Sequence, residues 1–136
     1  MTVPPPTHLP ERAADPDALD RDEVLGSLDG SEQLMADVIA SFVAEAPALL
    51  GAIREAVAAR DGARLARAAR TLRSRVGDFR AVKAMRDAAA LERLGARAPQ
   101  LDDHDVSRAS LLVATAAASV TRMVETLPAF VADAAA

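Results

Sequence analysis

Twelve of the sixteen basic side chains fall between Arg54 and Arg97, a stretch that holds only five acids: Glu55, Asp61, Asp78, Asp87 and Glu92. This local excess of seven positive charges, in a chain of net charge -4, points to a partner of opposite sign. Arg60, Arg64, Arg67 and Arg75 are expected on one stripe beside Arg70. Nucleic acid is a rival occupant of such a stripe but is not favoured. The total charge is acidic, Trp and Tyr are absent, and Phe42, Phe79 and Phe130 read as core or tail residues. Groups able to take up a phosphoryl group or a metal are few. His8 lies among prolines, where no folded surface would orient it, and His104 sits in Asp102-Asp103-His104-Asp105. Adjacent residues on a helix point in different directions, and those aspartates suit a helix N-terminus, so a cap is expected there instead of a metal site. The chain has no Ser-His-Asp grouping, Gly-rich phosphate loop, H-E-x-x-H or paired catalytic carboxylates. No enzymatic activity, cofactor or metal is expected. With no cysteine, disulfides and thiolate sites are excluded.

The elements that must position these groups read as helices. Hydrophobic residues make up 51% of the chain and aromatics 2%, a mixture that favours packed helices over a β-sandwich. Residues 1–17 carry Pro4, Pro5, Pro6, Pro10 and Pro16 and are expected to be a disordered tail. Leu19, Val24, Leu25 and Leu28 predict a short first helix, closed by Asp29-Gly30 and followed by a cap at Ser31. A stripe from Leu34 to Val57 predicts a long amphipathic helix, with Pro47 kinking it or dividing it in two. A third helix is predicted over about Ala63 to Val76, with Leu65, Ala68, Ala69, Leu72 and Val76 inward. A fourth, about Ala81 to Leu94, turns Val82, Met85, Ala88, Ala89 and Leu91 inward and stops at Gly95. The last, about Asp103 to Thr126, buries Val106, Ala109, Val113, Ala116, Val120, Met123 and Leu127. The fold class is all-α: an antiparallel four-helix bundle over residues 18–128 with a short preceding helix, ending in a flexible segment at 129–136. No run is expected to span a membrane, and no secretory leader is read at the start, so a cytoplasmic setting is expected.

The stretch Ala68 to Ala81, AARTLRSRVGDFRA, resembles the signature of histidine-containing phosphotransfer (HPt) domains, roughly A-x-H-T-L-K-G-S-x-x-N-[LF]-G-A. Thr71 and Leu72 match, Arg73 holds the place of the lysine, and Phe79 and Ala81 match the later apolar and small positions. Arg70 stands at the histidine, Ser74 at the first glycine, Arg75 at the serine, Asp78 at the asparagine and Arg80 at the second glycine. The Glu45-Ala46-Pro47 step ahead of a Leu-rich helix is also similar to HPt sequences.

The resemblance implies the same bundle and an exposed mid-helix position for Arg70, which the helical wheel also turns away from the core. It further implies a member of the family without its phosphoryl carrier, because a guanidinium stays protonated and has no lone pair to attack phosphorus. The expected role is binding without transfer. Arg67, Arg70, Thr71, Arg73, Ser74 and Arg75 would meet a response-regulator receiver domain or a histidine kinase. A helical adaptor or oligomerisation module using another face, and a phosphotransfer protein using His104, are the alternatives.

Overall fold

The computed structural model describes residues 18–135, so the proline-rich segment at 1–17 lies outside the described residues. The described chain is all-helical. Helix α1 is Arg21–Ser27, capped by the Asp20 side chain, which accepts from the Asp22 and Glu23 amides. Asp29 (φ 58) and Gly30 (φ 76) turn the chain in left-handed conformations, and Ser31 then caps α2, Glu32–Ala58, by accepting from the Leu34 amide. Arg60 (φ 55) reverses the chain again, and the Asp61 carboxylate takes the Arg64 amide to start α3, Gly62–Gly77. After a turn through Arg80 (φ 58) come α4, Val82–Arg97, and α5, Asp103–Thr126, and then α6, Pro128–Ala135.

Helix α2 packs against α3, α3 against α4, α4 against α5, and α5 returns to α2, giving a bundle-like arrangement around one core. Met35, Phe42 and Ile53 of α2, Leu65, Leu72 and Val76 of α3, Leu91 and Leu94 of α4, and Val120 of α5 lie in that core. Phe79, in the turn between α3 and α4, meets Phe42 edge-on with ring centroids 5.2 Å apart, anchoring the turn to α2. A polar fastening joins α4 to α5: the buried Ser119 hydroxyl donates to Asp87 Oδ2 at 3.0 Å, and Lys83 Nζ lies 3.0 Å from the same oxygen.

The structure departs from the sequence reading at several places, each for a packing reason. Of the two expectations at Pro47, the divided helix is not found: α2 is one helix with the proline on its exposed side. Helix α4 does not stop at Gly95 but runs on to Arg97, because that glycine serves close packing and not a cap. A Cβ at Gly95 would stand 2.5 Å from Gly62 O and 2.7 Å from Ala66 N, and one at Gly62 would stand 1.8 Å from Ala98 O. On α4, Val82 is exposed and Met85 and Ala89 are half-buried, while Ala84 and Leu94 are buried. Residues 129–136, expected as a flexible end, mostly continue as α6: Phe130 is buried, and its carbonyl accepts from Arg21 Nε at 2.9 Å. By length and composition alone, one run also meets the measure of a helix able to cross a membrane, as core helices of soluble proteins can. Helix α2, at 27 residues with a mean hydropathy of 1.6 in its most apolar window, is long and apolar enough to cross one. In this fold its inner side is core.

The two glycine environments generate a paired test. Gly95→Ala is expected to lower stability by about 1 to 3 kcal/mol despite its better helix propensity, because backbone atoms block the methyl group. Gly51→Ala, where an added Cβ meets nothing within 4 Å, is expected to raise stability by about 0.5 to 1 kcal/mol. Denaturant midpoints of the two variants check both signs.

Candidate functional site

Helix α3 carries the positions at issue, and its inward residues decide which way the others face. Leu65, Ala69, Leu72 and Val76 are buried. At about 100° per residue this sends Arg67, Arg70 and Ser74 outward and Arg73 towards one flank. Arg70 is open, with 65% of its side chain exposed at mid-helix, as the wheel predicts.

The outward face is not free of partners. Glu92 of α4 receives Arg70 Nε on Oε2 at 3.1 Å and Arg73 Nε on Oε1 at 2.8 Å, so one carboxylate bridges two guanidiniums. The Arg70 hydrogen bond, with those of Arg73 behind it, holds the Glu92 carboxyl below its ordinary value of 4.5 against the opposing effect of partial burial. Glu92 was legible in the sequence only as one of five acids among the arginines. Its role depends on α4 lying alongside α3 in the register that places residue 92 opposite 70 and 73.

The remaining predicted residues divide. Arg67 and Ser74 are exposed beside Arg70. Thr71 is exposed too, but its hydroxyl donates to the Arg67 carbonyl at 3.1 Å. Arg75 does not share this face. It turns to α2, where it pairs with Glu45, and lies 3.9 Å from Asp78.

The expected arginine stripe is likewise broken up. Arg60 precedes α3 and joins Asp103 at 2.8 Å and the Leu101 carbonyl at 3.3 Å, while Arg64 pairs with Glu55 at 3.0 Å. Ala66 is buried at the α4 contact, whereas Ala63 is exposed. Helix α4 adds exposed Arg86, Arg93 and Arg97, which share its outward side at helical spacing.

His104 is exposed in the first turn of α5. Its acidic neighbours are engaged elsewhere. The Asp102 carboxylate accepts the Asp105 amide at 2.8 Å and the Asp105 carboxylate accepts the Asp102 amide at 3.0 Å, a capping box, and Asp103 faces Arg60. The Asp105 amide is the main reason the Asp102 carboxyl lies below its ordinary range. His8 lies outside the described residues.

Comparison with models of protein families, with curated proteins and with solved structures returned no match. The functional reading therefore rests on the residues and their geometry.

Because the folded Glu92 pKa is depressed, its bridge stabilises the protein above about pH 4.5 and loses that contribution as pH falls through the lower folded value. Glu92→Gln is expected to cost about 1 kcal/mol or less at pH 7, since the arginines are solvated. The gap to wild type should shrink as pH falls below 4.5 and through that lower value, where a protonated Glu92 resembles glutamine. Urea titrations of both proteins at pH 7 and pH 3.5 check this; a gap that widens in acid would contradict the assignment.

Proposed function

We propose that the chain is a degenerate HPt-like domain, an antiparallel four-helix bundle of α2 to α5 preceded by the short α1. It acts as a non-catalytic interaction module in two-component phosphorelay signalling. The observation that carries this reading is Arg70: an arginine exposed at mid-α3, where the motif it resembles has its histidine. A guanidinium there can bind an acidic surface and cannot accept a phosphoryl group. Three further features support the reading. Phe79 and Ala81, at the motif's apolar and small positions, are buried. Arg80, at its second glycine, adopts φ 58, a conformation glycine takes without strain. Glu92 holds Arg73, at the lysine position, beside Arg70.

The partner is a receiver domain or a histidine kinase surface, met by Arg67, Arg70, Arg73 and Ser74, and a cytoplasmic setting follows from it. The chain would sequester that partner or compete with a true phosphotransfer protein.

A second reading has one observation in its favour. An open groove of about 440 Å³ between α2 and α5 is lined by Val43, Ala46, Pro47, Leu50, Val120 and Val124, and would serve a helical adaptor.

Binding measurements separate these readings. A cognate receiver should bind wild type, and Arg70→Glu should weaken it by about 10 to 150-fold, the equivalent of roughly 1.5 to 3 kcal/mol for a desolvated charge-assisted hydrogen bond. Arg108→Glu, on exposed α5, should weaken it by about fivefold or less. Added salt should slow association. Equal affinities for the three proteins would move the site off α3 and favour the groove. Incubation with a phosphorylated receiver should leave no acid-labile phosphate on the chain, and labelling abolished by His104→Ala would instead establish a carrier at His104.

A further inference from the structure

Glu92 takes one N–H from each of two arginines, and in each case from Nε at the root of the guanidinium. A guanidinium has five N–H donors in a planar fork, so this arrangement orients both forks and leaves their terminal nitrogens for another acceptor. Exposure rises in the same direction, from 18% of the side chain at Glu92 to 42% at Arg73 and 65% at Arg70. Arg67, one turn before Arg70, is exposed and has no ion pair among the described residues.

Charge narrows the class of ligand. Three cations against one carboxylate leave two positive charges in excess, which balances the roughly -1.5 to -2 of a phosphoryl group near neutral pH and exceeds that of a single carboxylate. Two aligned forks also suit a group with three acceptor oxygens, since guanidinium binds phosphate through paired N–H bonds.

Resting on the receiver-binding reading, we propose that Arg70 and Arg73, aligned by Glu92, form a phosphoryl-recognition site whose ligand is the acyl phosphate of a phosphorylated receiver domain. The chain binds that group and leaves it in place, because neither guanidinium that meets it has an electron pair to offer phosphorus. Arg70 and Arg73 contact the phosphoryl oxygens, and Arg67 adds attraction from one turn away. Glu92 is a positioning residue: it carries a charge of the wrong sign for the ligand, and its contribution is to hold two mobile side chains in one arrangement. The chain thereby distinguishes the phosphorylated partner from the bare one.

Two measurements test this. In the first, the arginine Nε–Hε resonances of the full chain are followed while acetyl phosphate, or acetate at matched ionic strength, is added. Saturable shifts of Arg70 and Arg73 with acetyl phosphate alone are expected, with affinity at least tenfold weaker in Glu92→Gln and in Arg73→Gln. No saturable shift, or equal shifts with acetate, would overturn the site.

In the second, a receiver from the host is titrated calorimetrically, bare and loaded with beryllium trifluoride as a phosphoryl mimic. The loaded form is expected to bind at least tenfold tighter, and Arg70→Gln or Glu92→Gln should abolish that ratio while the bare form still binds. Equal affinity for both forms would overturn phosphoryl recognition and leave receiver binding standing. Failure of both forms to bind, with the acetyl phosphate shifts intact, would overturn the receiver as the source. Inorganic phosphate that blocks the loaded receiver at micromolar concentration would reassign the site to free phosphate, and duplex DNA that moves the same resonances would reassign it to nucleic acid.

Discussion

The backbone contact between α3 and α4 is the constraint on which the rest of the surface depends. At Gly62 and Gly95 the two helices approach so closely that neither position has room for a methyl group. The contact fixes the register along the pair. Gly95 lies over Ala66, Glu92 reaches Arg70 and Arg73, and Met85 lies beside Gly77, so the helices run antiparallel with matched faces. A carboxylate has a short reach, and only helices in this register let residue 92 bond two arginines at once. The contact that closes the core thus also composes the outer face.

Local pairing reshapes the charge that composition suggests. Arg60, Arg64 and Arg75 each meet an acid on a neighbouring element, Asp103, Glu55 and Glu45, and Lys83 meets Asp87 one turn along α4. The exposed pairs among them, at Arg60 and Arg64, add little to stability, about 0 to 1 kcal/mol each. Their larger effect is on the field, since each neutralises a cation where it stands. On the outward side of the α3 and α4 hairpin Arg67, Arg70, Arg73, Arg86, Arg93 and Arg97 stand together, with Glu92 as the acid between the two helices, while Arg54, Arg80 and Arg108 are exposed elsewhere. A protein that is acidic overall therefore carries one basic face.

The turns hold this arrangement with side-chain caps and left-handed residues. Asp20, Ser31, Asp61 and Asp102 each satisfy helix-start amides. Asp29, Gly30, Arg60 and Arg80 take positive φ where the chain reverses. Arg60 does double duty, since its carbonyl receives the Leu101 amide and its guanidinium reaches Asp103, which ties the start of α3 to the start of α5.

Periodicity and caps made most of the helices legible in the sequence, because hydrophobic spacing and helix-start chemistry act within a few residues. The stripe from Leu34 to Val57, whose first residue is exposed, the seam from Val106 to Leu127, whose first residue is half-buried, the cap at Ser31 and the outward direction of Arg70 are all properties of a single helix. The chemical limit on Arg70 was also legible, since a guanidinium lacks a lone pair wherever it stands. Relations between helices were not. Gly95 reads as a stop until α3 is seen against it, Phe130 reads as a loose end until α6 docks beside α1, and Arg75 reads as part of the Arg70 face until Glu45 draws it to α2. Glu92 is one acid among five in the sequence, and it becomes the organiser of the candidate site only through packing. These properties belong to distances between elements, and such distances are set when side chains of different helices compete for the same volume.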